Sequence, residues 1–183
     1  SPYSASKIAA DQLAISYYRS FNLPIKIVRP FNTYGPRQSA RAIIPTIISQ
    51  LINGKTSIEL GSLYPTRDLT FVKDTCNGFL KIYETDSLFG EVTNIGTNSE
   101  ISIGDLADLI AKLMKKEITI KSSDERIRPI QSEVERLVCN NTKLQKYTKW
   151  NPDNTLEEGI SKVIEWMKNP ENLFIYKQGQ YNF

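Results

Sequence analysis

The 183-residue sequence predicts an α/β fold, with short strands of a mostly parallel sheet alternating with helices. Two observations carry this. A helical stretch from Pro2 or Tyr3 to Phe21, stopped by Pro24, leads directly into the β-branched run Ile25-Lys26-Ile27-Val28. Helix-period apolar stripes and short strand-like runs then continue to alternate, the pattern of helical crossovers between parallel strands.

Each element has a local reason. Pro2 suits the first turn of a helix, and the run ending at Val28 reads as a buried strand. The segment Arg29-Pro30-Phe31-Asn32-Thr33-Tyr34-Gly35-Pro36-Arg37 is expected to be a loop at that strand's carboxyl end, where open α/β sheets bind ligands. Ile43 to Ile52 is apolar on most sides and closes at Asn53-Gly54, so it predicts a buried helix. Thr56 to Leu60 reads as a strand, Asp74 to Tyr83 as a helix capped by Asp74, and Glu91 to Ile95 as another strand. Ser102 and Asp105 have the spacing of a cap for a helix ending near Lys116. Thr155 and Glu158 repeat that arrangement before a last helix with Ile160, Val163, Ile164 and Met167 on its core side. Gln178 to Phe183 reads as a loose tail.

Composition narrows the class. Hydrophobic residues make up 40% and charged residues 23%, which fits an ordered globular chain and excludes a mainly disordered one. The net charge of +3, without a basic stripe interleaved with aromatics, argues against a nucleic-acid partner. No apolar run approaches the length of a membrane span, and a soluble, cytoplasmic protein without a membrane partner is expected. With no His, and with Cys76 and Cys139 lacking metal-ligand spacing, no metal site is expected; both cysteines read as packing residues.

The chemistry is concentrated at Tyr3 and Lys7. Four residues apart on a helix, a phenol and an ammonium share one stripe, and a cation beside a phenol favours the phenolate, so the pair is suited to proton transfer. Alone the spacing is common on solvated helix faces. The strand and the ligand-side loop that follow this helix change its weight. Arg67, in Tyr64-Pro65-Thr66-Arg67-Asp68, and Arg128, before Pro129, both read as loop arginines, a position where an Arg is usually solvated charge.

Taken in order, Tyr3-x-x-x-Lys7, Arg29-Pro30-Phe31-Asn32-x-Tyr34-Gly35-Pro36, Arg67-Asp68-Leu69-Thr70-Phe71-Val72, Asn94-Ile95-Gly96 and Arg126-Ile127-Arg128-Pro129 resemble the extended short-chain dehydrogenase/reductase family, NAD-dependent nucleotide-sugar epimerases and dehydratases. The resemblance implies a Rossmann-like doubly wound sheet plus a smaller substrate-binding lobe. Residues 1–36 would supply the catalytic helix, strand and loop of the Rossmann-like domain. Residues 37–183 would be mainly the substrate lobe, with segments near 72–96 returning to the sheet. No two glycines lie closer than six residues, so the Gly-rich turn of a dinucleotide fingerprint is missing, and the chain opens inside a catalytic motif. The expectation is a C-terminal portion whose N-terminal NAD-binding half is absent, inactive by itself.

The resemblance also implies roles. Tyr3 and Lys7 would be catalytic and contact NAD, with the backbone at Pro30 and Phe31 facing the nicotinamide. Asn32, Arg67, Arg128 and Glu133 would bind a nucleotide-diphosphate sugar, with Arg126 competing with Arg128. Hydride would pass from C4 of the sugar to NAD, water would leave across C5 and C6, and hydride would return to C6. Pro2-Tyr3-Ser4-Ala5-Ser6-Lys7 is closer in wording to sugar 4,6-dehydratases than to epimerases, and the stretch from Arg29 to Pro45 with the Ser132-Glu133-Val134 segment resembles the legionaminic acid type acting on nucleotide-linked N-acetylglucosamine. A 4-epimerase shares the first step and remains open, as does a non-catalytic dinucleotide-binding regulator on the same fold. Ile8, Leu13, Ile15, Tyr17 and Tyr18 imply a homodimer through the first helix.

Overall fold

A computed structural model describes residues 1–122, 134–174 and 176. The chain begins with helix α1 (Pro2–Phe21), whose N-cap Ser1 accepts the Ser4 N–H at 3.2 Å and whose end is set by Asn22 in the left-handed conformation, φ 53°. Strand β1 (Ile27–Pro30) and strand β2 (Asn32–Tyr34) come next, then helix α2 (Ile43–Ile52) and strand β3 (Ser57–Leu60). Strands β4 (Thr66–Arg67) and β5 (Leu69–Phe71) lead into helix α3 (Val72–Glu84) and strand β6 (Val92–Ile95). Strand β7 (Ile101–Ser102), helix α4 (Ile103–Leu113) and strand β8 (Thr119–Ser122) complete the first described stretch. The second holds strand β9 (Arg136–Leu137) and helices α5 (Thr142–Thr148), α6 (Leu156–Lys168) and α7 (Pro170–Leu173).

Pairing is mostly parallel, as the α/β reading requires. Strand β1 runs parallel to β6 in the register Ile27↔Val92 to Pro30↔Ile95, β2 parallel to β5, and β3 parallel to β8. Strand β4 is the centre of a three-stranded unit, antiparallel to β7 and parallel to β9.

Two apolar clusters hold these layers. The larger joins Ile44, Ile47, Ile48 and Leu51 of α2 to Leu106 and Ile110 of α4 and to Ile160, Val163 and Met167 of α6, over Ile58, Leu60 and Phe71 of the strands. The smaller gathers Ile82, Leu88, Ile95, Leu144 and Trp150 around the β1–β6 pair. The expected stripe on α6 is therefore core, and its capping box is complete: Glu158 N–H donates to Thr155 Oγ1 and Thr155 N–H to the Glu158 carboxylate. Ser102 caps α4 as its spacing with Asp105 implies. Gly159 is dictated by packing, since a Cβ there would lie 2.0 Å from the Tyr34 hydroxyl oxygen.

Several local expectations are corrected. The first strand lies two residues later than Ile25–Val28, and the segment after it is not all loop, because Asn32–Tyr34 pairs with β5. Helix α3 starts at Val72, directly out of β5, so Asp74 falls inside its first turn rather than at its cap. Buried there, its carboxylate accepts the Asp153 and Asn154 backbone N–H groups and the Asn154 amide, thereby closing a turn eighty residues away. Helix α4 ends at Leu113, where Met114 caps it and Lys115 turns to φ 54°. Arg67 stands on strand β4, not on a loop. Cys139 is buried, but Cys76 is exposed and does not pack. The tail from Gln178 lies outside the described residues.

Candidate functional site

The placement of Tyr3 and Lys7 is set by how α1 is attached. The Tyr18 ring lies against Gly90, where a Cβ would come within 2.2 Å of it, and the Gly90 N–H donates to Ile25 O just before β1. Seven residues earlier, Asp11 pairs with Arg29 near the end of β1, at 2.5 Å from Nη2 and 2.7 Å from Nε. Helix α1 therefore runs antiparallel to β1. Lys7 and Tyr3 are one and two turns beyond Asp11, roughly 6 and 12 Å along the axis, so they overhang the carboxyl end of the β1–β6 pair. Lys7 Nζ lies 5.5 Å from the centre of the Tyr3 ring, and Tyr3 is 70% exposed. Pro30 ends β1 at this same edge, and the Phe31 N–H donates to Ile95 O.

Asn32 and Arg67 meet elsewhere. Both line a cavity of about 320 Å³, together with Gln38 and Arg41, against an apolar wall that includes Leu60, Leu69 and Ile103. Three of its polar side chains are held by backbone carbonyls. Asn32 Nδ2 donates to Asp68 O at 3.4 Å, Gln38 Nε2 to Thr33 O at 3.0 Å, and Arg67 Nη1 to Thr66 O and Val134 O at 2.8 and 2.6 Å. Tyr3, Lys7, Pro30 and Phe31 are not among the residues lining this cavity. Arg126, Arg128 and Glu133 lie outside the described residues. A second cavity of about 530 Å³ shares Arg67 and Leu69 and is bordered by Tyr34, Thr97, Glu100 and Asn154.

Residues assigned no site role from the sequence organise the surroundings. Asp68 is fully buried, and its carboxylate accepts the Thr97, Asn98 and Cys139 backbone N–H groups and the Thr97 hydroxyl. Burial, with Asp68 beside it, pushes the Cys139 thiol up to about 12, so it packs and does not react. Burial also raises the Tyr34 phenol, with Asp74 and Glu157 adding to the shift, and its hydroxyl donates to Leu156 O. Glu100 is held below the usual carboxylate range by its bond from Arg136 and then by that from Thr66. Asp68 and Tyr34 had a signal in the sequence as members of two of its motifs, and Cys139 as a packing residue. Gln38, Arg41 and Glu100 depend on contacts between distant segments.

Comparison with known proteins places this geometry. The model of the family described as GDP-mannose 4,6 dehydratase matches residues 1–163. The human dTDP-D-glucose 4,6-dehydratase is 31% identical over 96% of this chain and 50% of its own length. Among solved structures, the dTDP-glucose 4,6-dehydratase of Bacillus anthracis, determined with NAD, superposes with a TM-score of 0.82 at 30% identity, over 93% of this chain and 53% of that one. The UDP-glucuronic acid 4-epimerase of Bacillus cereus, determined with UDP-glucuronic acid and NAD, gives 0.83 at 28% identity over 92% and 52%. The fold is that of the Rossmann-type, NAD-dependent epimerases and dehydratases. The chain belongs to the GDP-mannose 4,6 dehydratase family, within the extended short-chain dehydrogenase/reductases that its motifs resemble. It spans about half the length of the curated relatives it matches. Among the described residues, no helix is long and apolar enough to cross a membrane.

Proposed function

We propose that the protein is an NAD-dependent nucleotide-sugar 4,6-dehydratase, with Tyr3 as the proton acceptor and the cavity of Asn32 and Arg67 as part of the substrate site. The single observation that supports this most is the Tyr3–Lys7 pair overhanging the carboxyl end of parallel strands, where α/β sheets receive ligands. NAD suits this edge: the ammonium, the phenol and the exposed Pro30 are adjacent to one strand end and accessible. When bound, it would take up and return the hydride. Tyr3 would accept the proton of the sugar 4-hydroxyl, and Lys7 would hold positive charge beside the phenolate. A ketone at C4 makes the C5 proton acidic, so water leaves across C5 and C6 and a 4-keto-6-deoxy sugar results. Arg67 would meet the diphosphate, with Arg128 as a second donor, Asn32 the sugar nucleotide, and Glu133 the nucleotide.

The finer reading is a nucleotide-linked N-acetylglucosamine of the legionaminic acid type as substrate. It rests on the wording of residues 29 to 45 and 132 to 134. Residues 1–36 with the segments near 72–96 would form the cofactor lobe, around the smaller apolar cluster, and the rest mainly the substrate lobe, around the larger one. The protein would work in the cytoplasm as a homodimer through α1, whose Ile8, Leu13 and Tyr17 are exposed.

The test is a product assay. The protein at its full natural length, supplied with NAD and a panel of UDP-, GDP- and dTDP-sugars, is expected to convert one of them to a product lighter by one water, read by mass spectrometry. An unchanged mass with inverted C4 would make it a 4-epimerase. No conversion and no binding of any of these sugars would leave a regulator.

A further inference from the structure

Arg67 stands on a strand only two residues long, and one exposed carboxylate adds a side-chain tie to that strand's pairing. Glu100, the residue before β7, receives the Thr66 hydroxyl of β4 at 2.5 Å on Oε2. The same carboxylate receives Arg136 of β9: Nη2 donates to Oε1 at 2.7 Å, and Nε lies 3.0 and 3.1 Å from Oε1 and Oε2. Thr66 and Arg136 are directly paired across β4 and β9, and β7 pairs with β4 from the other side. One side chain thus ties all three strands.

The backbone pairs β4 with both neighbours, and the carboxylate braces that pairing from the side. Around Arg67 the β4–β9 ladder has Thr66 N–H to Glu135 O and Asp68 N–H to Leu137 O, at 2.8 and 2.9 Å, supplemented by the Cys139 N–H on the Asp68 carboxylate. Arg67 depends on that register, because Nη1 is held by Val134 O on the approach to β9. A slip or fraying of β9 removes one of the contacts that orient the guanidinium. An Arg side chain with one contact fewer has more rotamer freedom to lose when it binds an anion.

We propose that Glu100 is a positioning residue: the Thr66–Glu100–Arg136 clamp holds β9 on β4 so that the Arg67 guanidinium is preset toward a nucleotide diphosphate. This rests on the reading of Arg67 as a diphosphate ligand. As an ion pair, Glu100–Arg136 is worth little to folding, because Arg136 is largely exposed and solvent screens it. Its value is positional, and that separates the two roles experimentally.

Glu100→Gln and Arg136→Met are compared with wild type in the protein at its full natural length. The readouts are KM and kcat for the nucleotide sugar identified by the product assay, calorimetric binding of UDP, GDP and dTDP, and thermal melting. Losing one preset contact is expected to raise KM and the nucleotide dissociation constant about 3- to 10-fold, with kcat within about twofold and melting nearly unchanged. The charge-exchanged double variant, Glu100→Arg with Arg136→Glu, is expected to recover most of the KM. Arg136→Lys, which keeps the charge and loses the fork, serves where a stronger variant fails to fold, and an intermediate KM is expected. Folded variants with wild-type KM and dissociation constant, or variants in which melting falls while KM stays, would overturn the positioning role and leave Arg67 as a ligand. A wild-type protein that binds none of the nucleotides or their sugars would overturn the Arg67 reading, and this inference with it.

Discussion

Helices α1 and α6 are begun alike, by a hydroxyl cap, and are anchored oppositely. Helix α6 buries Gly159, Ile160, Val163, Ile164 and Met167, whereas α1, 20 residues long, buries none of its side chains. Among the contacts that attach α1 are the Asp11–Arg29 pair and the contact of Tyr18 with Gly90, and Ala14 and Ile15 are half-buried beside them. The residues proposed for chemistry ride on the helix with the least anchoring, and stability is concentrated in the packing of α2, α4 and α6. Substitutions in the two regions should therefore be read by different measurements.

The largest effect belongs to the sparsely anchored helix. Tyr3→Phe removes the proton acceptor and deletes almost no buried surface, since the ring is exposed. Turnover is expected to fall by roughly two to four orders of magnitude, with KM and the melting temperature close to wild type. Full activity in this variant would end the catalytic assignment. Ile47→Ala tests the other region: Ile47 is fully buried in α2, and its truncation is expected to cost about 2–5 kcal/mol by denaturant unfolding. A loss as small as that of a surface substitution would mean that the helix layer is not the core.

Arg67→Ala ranks next. It removes a charge-assisted contact that exists before the transition state, so substrate affinity should drop by roughly 10- to 100-fold with kcat less affected. Direct nucleotide binding is the clean readout. A collapse of kcat at unchanged affinity would place Arg67 in the reaction rather than in binding.

A smaller effect is expected at the start of α6. Thr155→Ala removes the hydroxyl that accepts the Glu158 N–H and should cost about 1 kcal/mol. Glu158 also makes this cap sensitive to pH. Its carboxyl is held below the ordinary range by the bond from the Thr155 N–H, so the folded-state pKa is the lower one. The carboxylate's contribution is then complete above the ordinary Glu range and fades as the pH falls through that range toward the depressed folded value. Glu158→Gln should narrow the difference in melting temperature between neutral and acid solution. An unchanged acid limb would show that other carboxylates dominate it.

The legibility of the sequence divides along the same line. Helices whose signals are local were found nearly to the residue: Ile43–Ile52 from its apolar run and Asn-Gly stop, α6 from Thr155 and Glu158. The short strands β4, β7, β8 and β9 were not, because two to four residues hold no period and their pairing partners are far along the chain. Asp74 shows the limit well. Its type and position fitted a helix cap, but the backbone enters α3 straight from β5, and a turn at Asp153 and Asn154 claims the carboxylate. At the site, Tyr3, Lys7, Asn32 and Arg67 were named from motifs, and two of them line one cavity. Gln38 and the Glu100 clamp are consequences of tertiary contact, which no spacing announces.

The smallest effect is the most useful for the comparison. Leu13 is 61% exposed on α1. Leu13→Ala should change the stability of the folded monomer by no more than about 0.5 kcal/mol, the range of an ordinary surface position. If α1 pairs with a second copy, as proposed, the same substitution has a second consequence that is read separately. A partner that binds only the folded state makes melting depend on protein concentration, and losing apolar contact at the interface weakens that dependence. Sedimentation across a range of concentrations should therefore show a weaker dimer for Leu13→Ala, and a weaker one still for Leu13→Glu, while dilute samples of wild type and variant melt together. A loss above about 1 kcal/mol in dilute monomer would mean that α1 is covered by its own chain, and the contrast with α6 would fail.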